Sequence, residues 1–249
     1  MFDGISNDKW KAAAVPSLLK DGEVDIWRVD LDIDPRSLNS FFELLSDDEK
    51  RRADKFVFAR DRNHFIAARG TLRKLLGGYL GKSPEKICFE VRKFGKPDLS
   101  GEDGNLRFNL SHSNGIAAIA VAMNREVGVD IEFVNNDFDI FRVAQSAFST
   151  EDVSRIETLP SRLQATTFFS GWTRKEAFLK AMGDGLSSSE ELQSAVSFIG
   201  DEDISYRSFA NDKIADWSLT SFDIQDGFKA ALAVEGNIET VRFWQMTEN

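Results

Sequence analysis

IAARGTLRKLLG (66–77) can be laid over WTRKEAFLKAMG (172–183), an offset of 106. Three further matches occur in the same order. VDLD (29–32) resembles VDIE (129–132), SDDE (46–49) resembles STED (149–152), and AIAV (118–121) matches ALAV (231–234). Their offsets are 100, 103 and 113. Repeats of this kind decide an architecture before any single motif does. They imply a duplicated unit close to the usual size of one domain.

Each half reads as a strand, then helices, then strands. In the first half, Val24 to Leu31 alternates apolar and polar residues, as a half-buried strand does. Ser46 followed by Glu49 is a capping box that starts a helix. A long helix is expected from Arg60 to Gly77, ending at Gly77-Gly78. Strands are expected at Ile87 to Phe94, Leu106 to Leu110 and Ile116 to Ala122, the last two joined by an Asn114-Gly115 turn. In the second half, the expected elements are a strand at Val127 to Phe133 and helices at Ser149 to Leu159 and Gln164 to Met182. Strands should follow at Ala195 to Ile199, Tyr206 to Phe209, Trp217 to Phe222 and Phe228 to Val234. The expected fold is α+β, built of two pseudo-symmetric modules, each an antiparallel sheet packed with helices. The boundary falls near Met123 to Glu126, giving halves 1–124 and 125–249.

Composition limits the function. The 249 residues carry 31 Lys and Arg against 41 Asp and Glu, a net charge of −10. Lys50 to Pro97 holds 14 basic and 4 acidic residues, leaving 17 and 37 for the rest. An acidic protein with one basic segment does not suit broad coating of nucleic acid, but it can attract a compact phosphorylated molecule. No apolar run is long enough to span a membrane. No signal-peptide pattern opens the chain. The lone Cys88 bars an internal disulfide and a Cys-rich zinc site, and makes a reducing cytosol the expected compartment.

The carboxylates carry the chemistry. Asp130 and Glu132, two apart in a strand, project from one face. Acids held together repel unless a cation or proton lies between them, and Mg²⁺ suits such oxygen donors. D-x-E alone also fits an ordinary solvated strand. Glu176 and Lys180 share a face of the apolar helix 172–182. They can be a surface ion pair. Glu176 can instead supply a third acid and Lys180 a phosphate contact. In FNLSHS (108–113), Ser111 and His112 can donate hydrogen bonds to phosphate. The hydrolase reading of Ser111 or Ser113 with His112 is weak, because no G-x-S-x-G elbow is present. Gly95 and Pro97 make a stiff turn that would hold Lys96 in one place.

GKP (95–97), FNLSHS (108–113), GVDIE (128–132) and WTRKEAFLKAMGDGL (172–186), in this order and spacing, together resemble the Sfp-type 4′-phosphopantetheinyl transferases. LSDDEKRRADKFVFARDRNHFIAARGTLRKLLG (45–77) is similar to that family's first helical region. The likeness runs from about Val24 to Val234. It implies Mg²⁺-dependent transfer of 4′-phosphopantetheine from coenzyme A to a serine of an apo acyl or peptidyl carrier protein, releasing 3′,5′-ADP. By position, it implies that Asp130, Glu132 and Glu176 bind the metal and that Lys180 meets the coenzyme phosphates. Arg52 would meet the 3′-phosphate, although Lys50 or Arg51 could take that part, and Ser111 with His112 would lie near it. Lys96 and Pro97 would lie beside the adenine. Glu176 is the expected base, directly or through a metal-bound water, with Lys180 stabilising charge. The repeat alignment sets Gly70 against Glu176, which implies one active site rather than two. The first half would be the coenzyme side and the second the metal and carrier side, in a cytoplasmic monomer without nucleic-acid or membrane partners. The surfaces of Phe148 to Leu159 and Leu186 to Leu192 are candidates for carrier docking. The loop after Glu132, Phe133-Val134-Asn135-Asn136, departs from the basic residues many members carry. Rival readings are another Mg²⁺-dependent phosphoryl-transfer enzyme or nuclease, and an inactive binding module of the same fold.

Overall fold

Local chemistry sets the helices. Asp34 caps α1 (Pro35–Leu44), with proline in the first turn. Ser46 and Glu49 form the expected capping box on α2 (Asp47–Ala53). In the second half, Asp139 caps α4 (Ile140–Ala147) and Ser149 caps α5 (Thr150–Thr158). The two long helices, α3 (Ala59–Leu80) and α6 (Ser161–Met182), are each 22 residues and end on a left-handed glycine, Gly81 and Gly183. The computed structural model describes residues 10–14, 18–92, 95–183, 197–200, 203–210 and 213–247.

Two sheets carry these helices. One has the order β1-β11-β2-β6-β5, from β1 (Lys11–Ala13), β2 (Glu23–Asp30), β5 (Leu106–Ser113), β6 (Ile116–Met123) and β11 (Thr240–Met246). The other has the order β7-β10-β9-β8, from β7 (Val127–Phe133), β8 (Asp203–Ala210), β9 (Lys213–Phe222) and β10 (Phe228–Glu235). A short hairpin joins β3 (Phe89–Val91) to β4 (Pro97–Leu99). The two sheets meet face to face through the alanine-rich side of β6 (Ala118, Ala120, Ala122) and Val127, Val129, Ile131 and Leu232. Helices cover the outer faces: Trp27, Leu72, Leu75 and Ile119 share one outer core, and Phe168, Phe178, Ala231 and Ala233 the other. The α+β expectation therefore holds, as a four-layer stack of helix, sheet, sheet and helix.

The register corrects how the halves superimpose. Val24 pairs with Ala122 in one sheet, and Val127 with Val234 in the other. With Val24, Ala122, Val127 and Val234 all on the inner faces, and the Trp27–Tyr79 contact matching Asp130–Lys180, strand β2 maps onto β7 with an offset of 103 and β6 onto β10 with 112. The sequence matches at 100 and 113 each miss by one or three residues, which turns every side chain to the opposite face. Asp30 is consequently not the counterpart of Asp130; Trp27 is. In the long helices, Arg73 donates to the carbonyls of Pro84 and Ile87, while Arg174 donates to those of Phe198 and Gly200. Gly70 and Gly171 each stand where a Cβ would overlap a neighbour, Phe41 and Ile199 respectively. These pairs set the helix offset at 101, so Leu75 rather than Gly70 stands opposite Glu176, and Tyr79 opposite Lys180.

Other boundaries also moved. The helix expected to stop at Gly77-Gly78 continues to Leu80. Gly77 serves packing instead, since a Cβ there would lie 2.6 Å from the carbonyl of Lys82. The strand expected over Ile87 to Phe94 is only Phe89–Val91 among the described residues, and 93–94 lie outside them. Of the expected strand Ala195 to Ile199, residues 195–196 lie outside the described residues and Ser197 to Ile199 are not a strand. Helices α1 and α4 and strand β11 were not anticipated. Strand β11 leaves the second half and runs parallel to β2 in the first sheet, which is therefore mixed beyond its antiparallel part. Buried Asp25 holds it, accepting from Arg242 (Nε, 2.6 Å) and Trp244 (Nε1, 2.9 Å).

Candidate active site

The site lies where β5, an edge strand of one sheet, meets β7, an edge strand of the other. Alternation along β5 turns Asn109, Ser111 and Ser113 toward β7. Asn109 accepts from the Val129 amide at 2.9 Å, Ser111 Oγ donates to Asp130 Oδ1 at 2.8 Å, and Ser113 Oγ donates to Glu132 Oε2 at 3.0 Å. Three side chains thus bridge the two sheets in register. The N-x-S-x-S spacing was the sequence signal for Asn109 and Ser113, whose bridging role the sequence reading missed.

From the other side α6 leans on β7. Gly128 permits this: a Cβ there would lie 2.1 Å from the Ala177 carbonyl oxygen and 2.4 Å from the Ala181 nitrogen. The close approach brings Lys180 Nζ to 2.6 Å from Asp130 Oδ1 and 2.9 Å from Ser111 Oγ. Asp130 is buried, and its second oxygen, Oδ2, has no hydrogen-bond partner. A buried carboxylate oxygen without a partner is costly and calls for a ligand.

Glu132 and Glu176 complete the acidic group. Burial, then the charge of Asp130, raises the pKa of each above the ordinary glutamate value. Burial also raises that of Asp130, against the opposing effects of Lys180 and Ser111. Three carboxyl groups face the Lys180 ammonium, with Lys175 acting on Glu176 alone, so a cation or proton must balance the remainder. Among the described residues, no three His, Cys, Asp or Glu side chains already stand in metal-ligand geometry. The donor set nevertheless suits a hard divalent cation: it is all oxygen and includes the unpartnered Asp130 Oδ2.

The first half shows what the same scaffold does without this chemistry. Trp27, Val29, Leu75 and Tyr79 occupy the positions of Asp130, Glu132, Glu176 and Lys180. There, Trp27 Nε1 donates to Tyr79 Oη at 2.8 Å, and the others fill the core. Only one of the two modules carries the acids.

The remaining expected residues surround this centre unevenly. His112 points from β5 to the α3 side, opposite to Ser111, so the two do not act as adjacent donors. Its pKa is lowered by desolvation and by the nearby His64 and Lys180. His64 in turn bonds Asp32 Oδ1 at 2.7 Å. Arg52 rests on the Phe65 ring, 5.3 Å from its centroid. Gly95 adopts a positive φ, +90°, and Pro97 opens β4. Lys96, however, turns its ammonium inward, to Glu126 Oε2 (2.9 Å) and the carbonyls of Val127 (3.2 Å) and Ala181 (3.0 Å). Beyond Glu132, a groove of about 700 Å³ runs past Phe133, Arg162, Thr166 and Lys229. Of the two candidate docking surfaces, Leu186 to Leu192 lies outside the described residues.

Comparison with known proteins covers both halves. A family model described as the 4′-phosphopantetheinyl transferase superfamily matches residues 126–233. A second, for the N-terminal region of 4′-phosphopantetheinyl transferases, matches 34–124. The chain is 36% identical over 230 residues to the 4′-phosphopantetheinyl transferase HetI of Nostoc sp., covering 92% of this chain and 94% of that one. It is 28% identical over 159 residues to the 4′-phosphopantetheinyl transferase gsp of Aneurinibacillus migulanus, covering 64% and 65%. It is 30% identical over 151 residues to the human L-aminoadipate-semialdehyde dehydrogenase-phosphopantetheinyl transferase, covering 56% and 48%.

Proposed function

Because the chain belongs to the 4′-phosphopantetheinyl transferase superfamily and transfers phosphopantetheine to carrier proteins, we propose that its donor is coenzyme A and that Mg²⁺ is required. The observation that carries this reading is Asp130: one oxygen bound by Lys180 and Ser111, the other buried without a partner, beside two more acids. Asp130, Glu132 and Glu176 would hold the cation. When bound, it neutralises pyrophosphate oxygens and the charge that develops on the leaving 3′,5′-ADP.

The residues of the chain do the rest. The carrier's serine hydroxyl attacks the β-phosphate of the pyrophosphate, and its proton must leave as the new P–O bond forms. Glu176 is the proposed base, directly or through a water. Its raised pKa makes it a stronger proton acceptor than a solvated glutamate. Lys180 offsets charge on the transferring phosphoryl group. The first half, 1–124, forms the coenzyme side, with Arg52 and His112 toward the 3′-phosphate and Pro97 near the adenine. The second half, 125–249, forms the metal and carrier side, although β11 belongs by pairing to the first sheet. A monomer is proposed because the facing modules already cover each other's inner sheet faces. No helix of the described residues is long and apolar enough to cross a membrane. The cytoplasm is proposed on the lone cysteine.

Intact-mass spectrometry of an apo carrier with coenzyme A and Mg²⁺ tests the reading. One phosphopantetheine should be gained, and the gain should vanish with EDTA or with serine-to-alanine substitution in the carrier. Full transfer in EDTA would overturn the metal requirement. His112→Ala should weaken coenzyme A about tenfold, the loss of one charge-assisted hydrogen bond. It should leave 3′-dephospho-coenzyme A nearly unaffected. Equal weakening of both, measured by calorimetry, would remove His112 from the 3′-phosphate.

A further inference from the structure

The ammonium of Lys96 is the least expected feature of the site. Its side chain is 8% exposed. All three of its donors are spent, on Glu126 Oε2, Val127 O and Ala181 O. Offering that charge to a ligand would strand three acceptors in a buried setting. The three acceptors sit on the elements that build the active site. Val127 opens β7, three residues before Asp130. Ala181 follows Lys180 and lies in the last turn of α6, where carbonyls lack partners within the helix and a cation is favoured. The lysine stem lies against Gly183, the left-handed cap of α6, with Cδ 3.5 Å from where a Cβ would stand.

Glu126 is itself held from the other side. Arg92 NH1 donates to Glu126 Oε1 at 2.9 Å, and Arg107 Nε lies 3.4 Å from the same oxygen. Asp98 accepts from Arg92 and Arg107, both at 2.7 Å. The cluster therefore ties the β3–β4 hairpin and β5 of one half to the start of β7 and the end of α6 in the other. Gly128, directly between, leaves no side chain to act as a spacer there.

We propose that Lys96 is a positioning residue whose ammonium fixes the spacing of α6 and β7, and so the approach of Glu176 and Lys180 to Asp130. This inference rests on the transferase site described above. It differs from a nucleotide-contact role in what it predicts. A contact to coenzyme would appear in coenzyme affinity. A spacing role appears chiefly in turnover and in cation binding, because Glu176 and Lys180 are displaced relative to Asp130 while Arg52 and His112, on other elements, keep their places.

The test compares Lys96→Met, Glu126→Gln and the double variant. Steady-state kinetics with coenzyme A and an apo carrier are combined with calorimetric titration of Mg²⁺ into the free protein and with melting curves. For Lys96→Met, kcat should fall about tenfold or more, KM for coenzyme A should stay within about twofold, and the Kd for Mg²⁺ should rise. Glu126→Gln, which weakens the same contact from the other side, should move the same quantities in the same direction. The double variant should be no worse than Lys96→Met, because both act through one contact. A raised KM with kcat retained, an unchanged Mg²⁺ affinity, or a Glu126→Gln protein indistinguishable from wild type would each overturn the proposal. If Lys96→Met does not fold, Glu126→Gln alone decides by the same criteria. Absence of transfer by the wild-type protein would strike at the coenzyme A reading instead, so the two failures are distinguishable.

Discussion

Glu176→Gln should leave a folded protein with transfer reduced about 10³-fold, in the range removal of a general base produces. The substitution keeps the volume and removes one carboxylate from a group in which burial and Asp130 already raise the pKa of Glu176. Relief of that repulsion means the fold has no reason to suffer, so the melting temperature should hold or rise slightly. Product formation followed by intact mass, with a melting curve on the same sample, checks both parts. Near-normal turnover with a normal melting curve would remove Glu176 from the chemistry. The first module provides an internal control for the fold, since Leu75 stands at the matching position and packs without difficulty.

The second large effect is expected from one methyl group. Gly128→Ala sets a Cβ against backbone atoms of α6, 2.1 Å from the Ala177 oxygen and 2.4 Å from the Ala181 nitrogen. Backbone cannot rotate away as a side chain can, so the helix must shift. Overpacking of this kind costs about 3 kcal/mol, which corresponds to a drop of roughly 6–12 °C in melting temperature for a chain of this size. Activity should fall further than stability, because the helix that must move carries Glu176 and Lys180. A control, Gly104→Ala, has open space around its Cβ and should be silent. A Gly128→Ala protein with unchanged melting temperature and turnover would show that the α6–β7 contact does not set the site.

Much of this arrangement could be read in advance because it is local. Ser46 with Glu49, Asn114-Gly115 and the alternation of Val127 to Phe133 each specify an element within a few residues. The acids were legible for the same reason: Asp130 and Glu132 share a strand face by alternation, and Glu176 and Lys180 share a helix face by period. Lys96 was not legible. The turn that holds it was expected from Gly95 and Pro97, but the direction of its side chain depends on Glu126, Val127 and Ala181, up to 85 positions away. Ser111 and His112 are neighbours in sequence, yet alternation sends them to opposite faces. That consequence follows from strand geometry but was hidden by reading the two as a pair.

By itself the sequence determined that each half mixes helices with strands, that Asp130 and Glu132 share one strand face, and that Glu176 and Lys180 share one helix face, since these depend on periodicity and turn chemistry close along the chain. Tertiary structure alone decided the register of the repeat, the return of β11 to the first sheet, and the meeting of Ser111, Asp130 and Lys180 across three elements. The reason is physical. A strand's pairing partner and a side chain's burial are set by contacts between distant segments, and a slip of one residue turns every side chain to the other face. Trp27 and Asp130 occupy the same place in two copies of one scaffold, and only their packed surroundings make one a core residue and the other the centre of a reactive site.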